Sequence, residues 1–121
     1  MPLKCKSVYE PVGPDDGIRV LTTNYWPRGI SKERGGVYKR MLGPSRDFLR
    51  AFKAGEISWS EYEHQYLQLM QEPGPCAEIA AIAELAQTQT VTIMCMCKDE
   101  AQCHRRLLRN LIEAAMAKVP A

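Results

Sequence analysis

Residues 90–97 read Thr90-Val91-Thr92-Ile93-Met94-Cys95-Met96-Cys97. β-branched and apolar side chains fill the run almost throughout. That is the pattern of a strand covered on both faces in the middle of a sheet, so this stretch is expected to be the central strand.

The chain on either side of it reads as helix. After Lys98, Asp99-Glu100-Ala101-Gln102 supplies an N-cap with a Gln three residues on, opening a helix that buries Leu108, Leu111, Ile112 and Ala115. Upstream, Pro73-Gly74-Pro75 breaks the chain, and Pro75 suits the start of a helix whose inner side is Ile79, Ile82, Ala83, Leu85 and Ala86. Ser58-Trp59-Ser60-Glu61 is a capping box ahead of Tyr62, Tyr66, Leu69 and Met70, which share one helix face. Ser45, just after Pro44, caps a shorter helix carrying Phe48, Leu49 and Phe52 and stopping near Gly55.

The first third of the chain reads as strand and loop. Leu3 to Tyr9 alternates loosely, and Pro14-Asp15-Asp16-Gly17 is turn chemistry leading into the β-branched run Ile18 to Thr23. Pro27 keeps Trp26 out of helical geometry, so Asn24 to Gly29 forms a loop at the carboxyl end of the second strand. The order strands, helices, strand, helix predicts one compact, layered α/β domain over residues 1–121, with a mixed, mostly parallel sheet flanked by helices. Ligands of such sheets sit beyond the carboxyl ends of the strands.

Composition agrees with ordinary folding. A chain of 121 residues that is 45% hydrophobic and 25% charged fits one domain, which buries roughly 65% of its unfolded surface. No repeat or low-complexity tract interrupts it. No apolar run approaches the ~20 residues needed to span a bilayer, and Met1 to Ser7 carries lysines without an apolar segment behind them, so a cytoplasmic protein without membrane contact is expected. Five cysteines, three of them between Cys95 and Cys103, predict reduced thiols and not a disulfide framework. The net charge is only +2, but Arg19 to Lys53 holds nine Lys/Arg against two acids, whereas Ala54 to Thr90 holds six Glu and no Lys or Arg. Such a basic block either attracts an anion, nucleotide or nucleic acid or is a solvated face.

The densest chemistry lies around Cys95, Cys97, Cys103, His104 and Arg105. Alternate residues of a strand share a face, so Cys95 and Cys97 point the same way, with Cα atoms about 7 Å apart, too far for an easy disulfide. Cys103 and His104 fall in the first turn of the last helix, where the helix end and the Arg105 and Arg106 charges favour a thiolate. Cys103 is therefore the candidate nucleophile, His104 the candidate base or proton shuttle, and Arg105 a candidate phosphate or carboxylate ligand. Cys97 and Asn24 are supporting candidates. Plain readings stand beside these: Cys95 and Cys97 as small buried hydrophobes, His104 as a local cap, Arg106 and Arg109 as solvent-facing charges.

A metal reading takes Cys95, Cys97, Cys103 and His104 as a tetrahedral set for zinc or iron, but adjacent positions on one strand and one helix splay such ligands apart, and no cofactor is predicted. Trp26, Arg28 and Lys32 form a second patch, with a ring for stacking and two cations for phosphate, although Trp26 reads equally as a core plug. Cys5, Cys76 and His64 read as structural or surface residues.

Val8-Tyr9-Glu10-Pro11, Asp15-Asp16-Gly17-Ile18-Arg19-Val20-Leu21 and Trp26-Pro27-Arg28-Gly29-Ile30-Ser31-Lys32 together resemble the YeaO-like branch of a large domain-of-unknown-function family. Gly43-Pro44-Ser45 and the later aromatic helix look like the same family, and Cys95-Met96-Cys97 with Cys103-His104-Arg105 looks like the cysteine signature of its other branches. Thr23 and Asn24 stand where the YeaO-like pattern reads Asp-Arg. The resemblance implies a compact α/β domain in the cytoplasm and assigns no reaction or cofactor. The expected function is a Cys/His/Arg site at the carboxyl edge of the sheet, binding an anionic, phosphate-bearing small molecule or nucleic acid with thiol or acid/base chemistry. A non-catalytic nucleic-acid-binding module and a metal-binding protein are the alternatives.

Overall fold

The computed structural model describes residues 3–96 and 104–118. In chain order its elements are β1 (Leu3–Ser7), β2 (Ile18–Leu21), α1 (Lys32–Gly35), β3 (Val37–Tyr38), a 3-10 turn (Arg40–Leu42), α2 (Arg46–Lys53), α3 (Trp59–Leu69), α4 (Pro73–Ala86), β4 (Val91–Cys95) and α5 (His104–Lys118). The four strands lie in the order β1-β4-β2-β3. The stretch that opened the sequence analysis is thus internal to the sheet, and all five residues of β4 are buried. Cys97 and the expected cap Asp99 lie outside the described residues.

The mixed sheet expected from the sequence is corrected in one respect: every pairing among the described strands is parallel. The reason is the position of β4. It pairs with β1 on one side, Leu3 opposite Val91, and with β2 on the other, Ile18 opposite Val91. Residues 8–17 therefore do not close a hairpin; they carry the chain from the carboxyl end of β1 back to the amino end of β2. Two contacts fix that return. The Thr92 hydroxyl donates to the Asp16 carbonyl oxygen at 2.7 Å, and Gly17, at φ 65°, passes so close to the Thr90 carbonyl that a Cβ would collide with it.

Side-chain alternation divides the core in two. Leu3, Val20, Val91 and Ile93 face α3, α4 and α5 and join Tyr62, Tyr66, Ile79, Ile82, Leu108 and Ile112. Leu21 and Met94 face the opposite way and pack with Val8, Ile30, Tyr38 and Met96. The smaller side takes Ile30, just before α1, and Tyr38 of β3, and neither element has an apolar period long enough to read from sequence. Both expected serine caps form: Ser45 accepts from the Phe48 N–H, and Ser58 and Glu61 make the reciprocal capping box. The third long helix begins at Pro73, not Pro75, because both prolines fit a first turn whose N–H groups have no helical partner.

α2 and α3 meet through aromatic rings. Phe48 stacks on Tyr62 at 4.8 Å, Trp59 on Tyr62 at 5.2 Å, and Tyr62 is followed by Tyr66 at 6.5 Å and His104 at 5.7 Å. This run of rings leads from the surface of α2 to the start of α5.

Candidate functional site

β2 and β4 end side by side, and the residues just beyond them face the first turn of α5. Thr22, the residue after β2, is fully buried, and its hydroxyl donates to the Met94 carbonyl at 2.9 Å. His104 Nε2 lies 2.8 Å from the Thr22 carbonyl oxygen and 3.2 Å from its hydroxyl oxygen. A carbonyl oxygen only accepts, so Nε2 carries the ring proton, and in the neutral imidazole the basic nitrogen is Nδ1. The Tyr66 ring packs against the imidazole, and the Tyr66 hydroxyl donates to the Leu42 carbonyl at 2.7 Å. His104 is thus held on one edge by β2 and on one face by α3.

A cavity of about 60 Å³ opens at this point. Among the described residues its wall is Thr23, Asn24 and Tyr25 after β2, Pro44, Leu49 and Lys53 from α2 and its approach, Met96 after β4, and His104. Most of that surface is apolar. The polar residues on it are Asn24, Tyr25, Lys53, His104 and Thr23, whose hydroxyl donates to the Tyr25 carbonyl at 2.7 Å.

Of the residues singled out in the sequence, the structure brings Asn24 and His104 onto this wall. Arg105 follows His104 but is rotated about 100° around the helix, so the two side chains diverge. It is only 4% exposed, its Nε and Nη1 find no hydrogen-bond acceptor, and it joins no ion pair among the described residues. Cys95 is buried in β4, and its carbonyl accepts from the Val8 N–H at 2.8 Å. Cys97 and Cys103 lie outside the described residues. Two of the four ligands of the metal set therefore fall there, and among the described residues no three His, Cys, Asp or Glu side chains form a metal-sized cluster.

The second patch does not line the cavity. Arg28 is exposed, and its carbonyl accepts from the Tyr9 hydroxyl at 3.4 Å. Lys32 is the exposed first residue of α1. Trp26 is 37% exposed, but its Nε1 donates to the Ile30 carbonyl at 2.7 Å, and its ring meets Tyr38 edge-on and presses on Gly35. Trp26 thereby fixes α1 and β3 against the loop after β2.

Sequence reasoning passed over Thr22 and Lys53. A threonine inside a β-branched run reads as strand filler, and a lysine near the end of a short helix reads as a solvated charge. The available signal was spacing: Arg46, Leu49 and Lys53 stand at i, i+3 and i+7 and so share one face of α2.

At the amino end of the sheet a different polar group is buried. Asp16 Oδ2 is 3.1 Å from Lys6 Nζ and 3.4 Å from Arg19 Nε, and it accepts from the Gly13 N–H at 3.0 Å. Burial pushes the carboxyl up, but the Gly13 hydrogen bond, the Lys6 bond and charge, and the Arg19 charge outweigh it and hold Asp16 below the ordinary aspartate value.

No helix among the described residues is long and apolar enough to cross a membrane. The family model described as DUF488-N3a, active DUF488-N3 subclade, matches residues 3–116. Over 117 residues the chain is 29% identical to Uncharacterized protein YeaO of Escherichia coli (strain K12), covering 94% of this chain and 99% of that protein. It is 28% identical over 107 residues to Uncharacterized protein Rv3073c of Mycobacterium tuberculosis and to Uncharacterized protein Mb3100c of Mycobacterium bovis, covering in each case 87% of this chain and 88% of the relative. No solved structure matches.

Proposed function

This chain belongs to the DUF488-N3a family, and from that premise we propose that it acts on a small anionic ligand at the carboxyl edge of its sheet. His104 is the acid/base group, and Cys103, its neighbour in the chain, is the nucleophile or the thiol partner of that chemistry. Asn24 orients the ligand, with Cys97 in support. Arg105 supplies a buried positive charge close to the start of α5, and Arg28 and Lys32, with Trp26 as a stacking surface, extend the attraction outside the cavity toward the phosphate of a larger ligand, a small molecule or a nucleic acid.

The observation that carries this reading is the fixed imidazole. A histidine that only fills a core has no need of a cavity beside it. His104 has Nε2 committed to Thr22 and lies on a cavity wall together with Asn24. The buried Arg105 guanidinium, whose Nε and Nη1 have no hydrogen-bond partner among the described residues, adds weight, because a buried cation is costly unless an anion answers it.

An iodoacetamide time course with peptide mapping tests it. Cys103 should alkylate at least about tenfold faster than Cys76, an exposed thiol on α4. His104→Gln should remove most of that advantage. Equal rates at Cys103 and Cys76 in the native protein would end the proposal.

A further inference from the structure

The outer wall of the cavity belongs to α2, a helix of eight residues, Arg46–Lys53. Its two sides do different work. Phe48 and Phe52 turn inward onto Tyr62, at 4.8 Å in each case, and anchor the helix. Leu49 and Lys53, four residues apart and hence neighbours on the surface, turn to the cavity. Arg46 begins the same stripe, with its Cζ 4.2 Å above the ring of Tyr25, another wall residue.

We propose that α2 is the recognition element of the site: Lys53, with Arg46 holding Tyr25 in place, receives the anionic end of a short ligand whose apolar body lies against Pro44, Leu49 and Met96. This rests on the preceding section for the location of the site but not for its chemistry. Charge and shape both support it. Lys53 makes no ion pair among the described residues. A cavity of about 60 Å³ is far below the roughly 300 Å³ or more of pockets that enclose whole drug-sized ligands, so only a few heavy atoms enter it. The wall is mostly apolar, the Thr23 hydroxyl and His104 Nε2 are already bonded to backbone carbonyls, and Lys53 supplies its cation, a combination that matches a short aliphatic chain ending in a single anion.

The shared chemistry is an anion on a short apolar stem, and the head group is either a carboxylate or a phosphate. Amide-resolved NMR titration of the full chain with butyrate, 1-butanol and inorganic phosphate separates the contributions. Butyrate should give saturable shifts at Tyr25, Leu49, Lys53 and Met96 in the millimolar range, and butanol and phosphate should each bind at least about fivefold more weakly, because each lacks one half of the ligand. Lys53→Met, at an exposed position, should weaken butyrate to the level of butanol, and Lys53→Arg should restore it. Lys118→Met, at the exposed end of α5 and off the cavity, should change nothing.

Equal binding of butanol and butyrate, phosphate bound as well as butyrate, or an unaltered Lys53→Met titration would each overturn the proposal. So would butyrate shifts that are absent or lie elsewhere. Cys103→Ser separates this inference from the reading of function. Butyrate binding that survives in that variant while native Cys103 alkylates slowly leaves α2 as the recognition wall and removes the thiol chemistry. A fast Cys103 with no butyrate site does the reverse.

Discussion

Lys6 Nζ sits 3.1 Å from Asp16 Oδ2, bridging the edge strand β1 to the buried turn that delivers the chain to β2. The carboxylate it meets is nearly inaccessible and also faces Arg19. Because the folded-state pKa of Asp16 is depressed, its contribution to stability is fully present above the unfolded value, near pH 4, and is lost as pH falls through the folded value. Asp16→Asn should destabilise the protein by about 3 kcal/mol at neutral pH, since it leaves Lys6 and Arg19 without their counter-charge, and should flatten the acid limb of the stability profile. Urea titrations at neutral pH and near pH 3 check both. A variant that loses stability in acid as steeply as the native protein would show that the carboxylate does not stand at the centre of this network.

Thr22→Val keeps the shape of the residue and deletes the hydroxyl that donates to Met94 and faces His104. The Thr22 carbonyl still receives Nε2, so the tautomer should persist. A loss of about 1–2 kcal/mol is expected, with the Nε2–H form of the ring retained in nitrogen-15 spectra. Appearance of the Nδ1–H form would mean that the hydroxyl, not the carbonyl, orients the imidazole.

Tyr66→Phe leaves the ring contacts and removes the bond to the Leu42 carbonyl, which lies in the buried interior. The unsatisfied carbonyl should cost about 1–2 kcal/mol, read as a lower urea midpoint at unchanged slope.

Two glycines with similar φ should respond differently to alanine. Gly29, at φ 80°, faces open space, so only backbone strain of about 1 kcal/mol is added. Gly17, at φ 65°, abuts the Thr90 backbone, and its alanine variant must move β2 away from β4. Thermal melts of the pair should differ by several degrees, with Gly17→Ala the lower.

In the native protein an aromatic disulfide reagent should find Cys76, which is exposed, and pass over Cys95, which is buried in β4, until the chain unfolds. Reaction of Cys95 at the rate of Cys76 would mean that β4 is not interior.

The frame of the fold was legible because it rests on local chemistry. The run around Ile93 marked the inner strand, and Ser45 and Ser58 marked where helices begin. That the sheet is mostly parallel was legible, but that β2 runs the same way as β1 was not, because a loop of turn residues such as Pro14 to Gly17 looks the same whether it closes a hairpin or returns the chain to the same edge. Only the later insertion of β4 decides between them. β3 and α1 escaped for lack of length, and their place is set by the ring of Trp26, a tertiary contact. At the site, Asn24 and His104 were visible as polar residues in loop and cap positions, whereas Lys53 acquires its meaning only when α2 is laid across the mouth of the cavity.

The strand order carries one consequence for how the molecule is made. β1 and β2 are synthesised early but do not pair with each other; both pair with β4, which is translated after four helices have been made. Until β4 emerges, β1 therefore has no strand partner among the described residues and β2 has only the two-residue β3, so the four-stranded sheet closes as a late, long-range event.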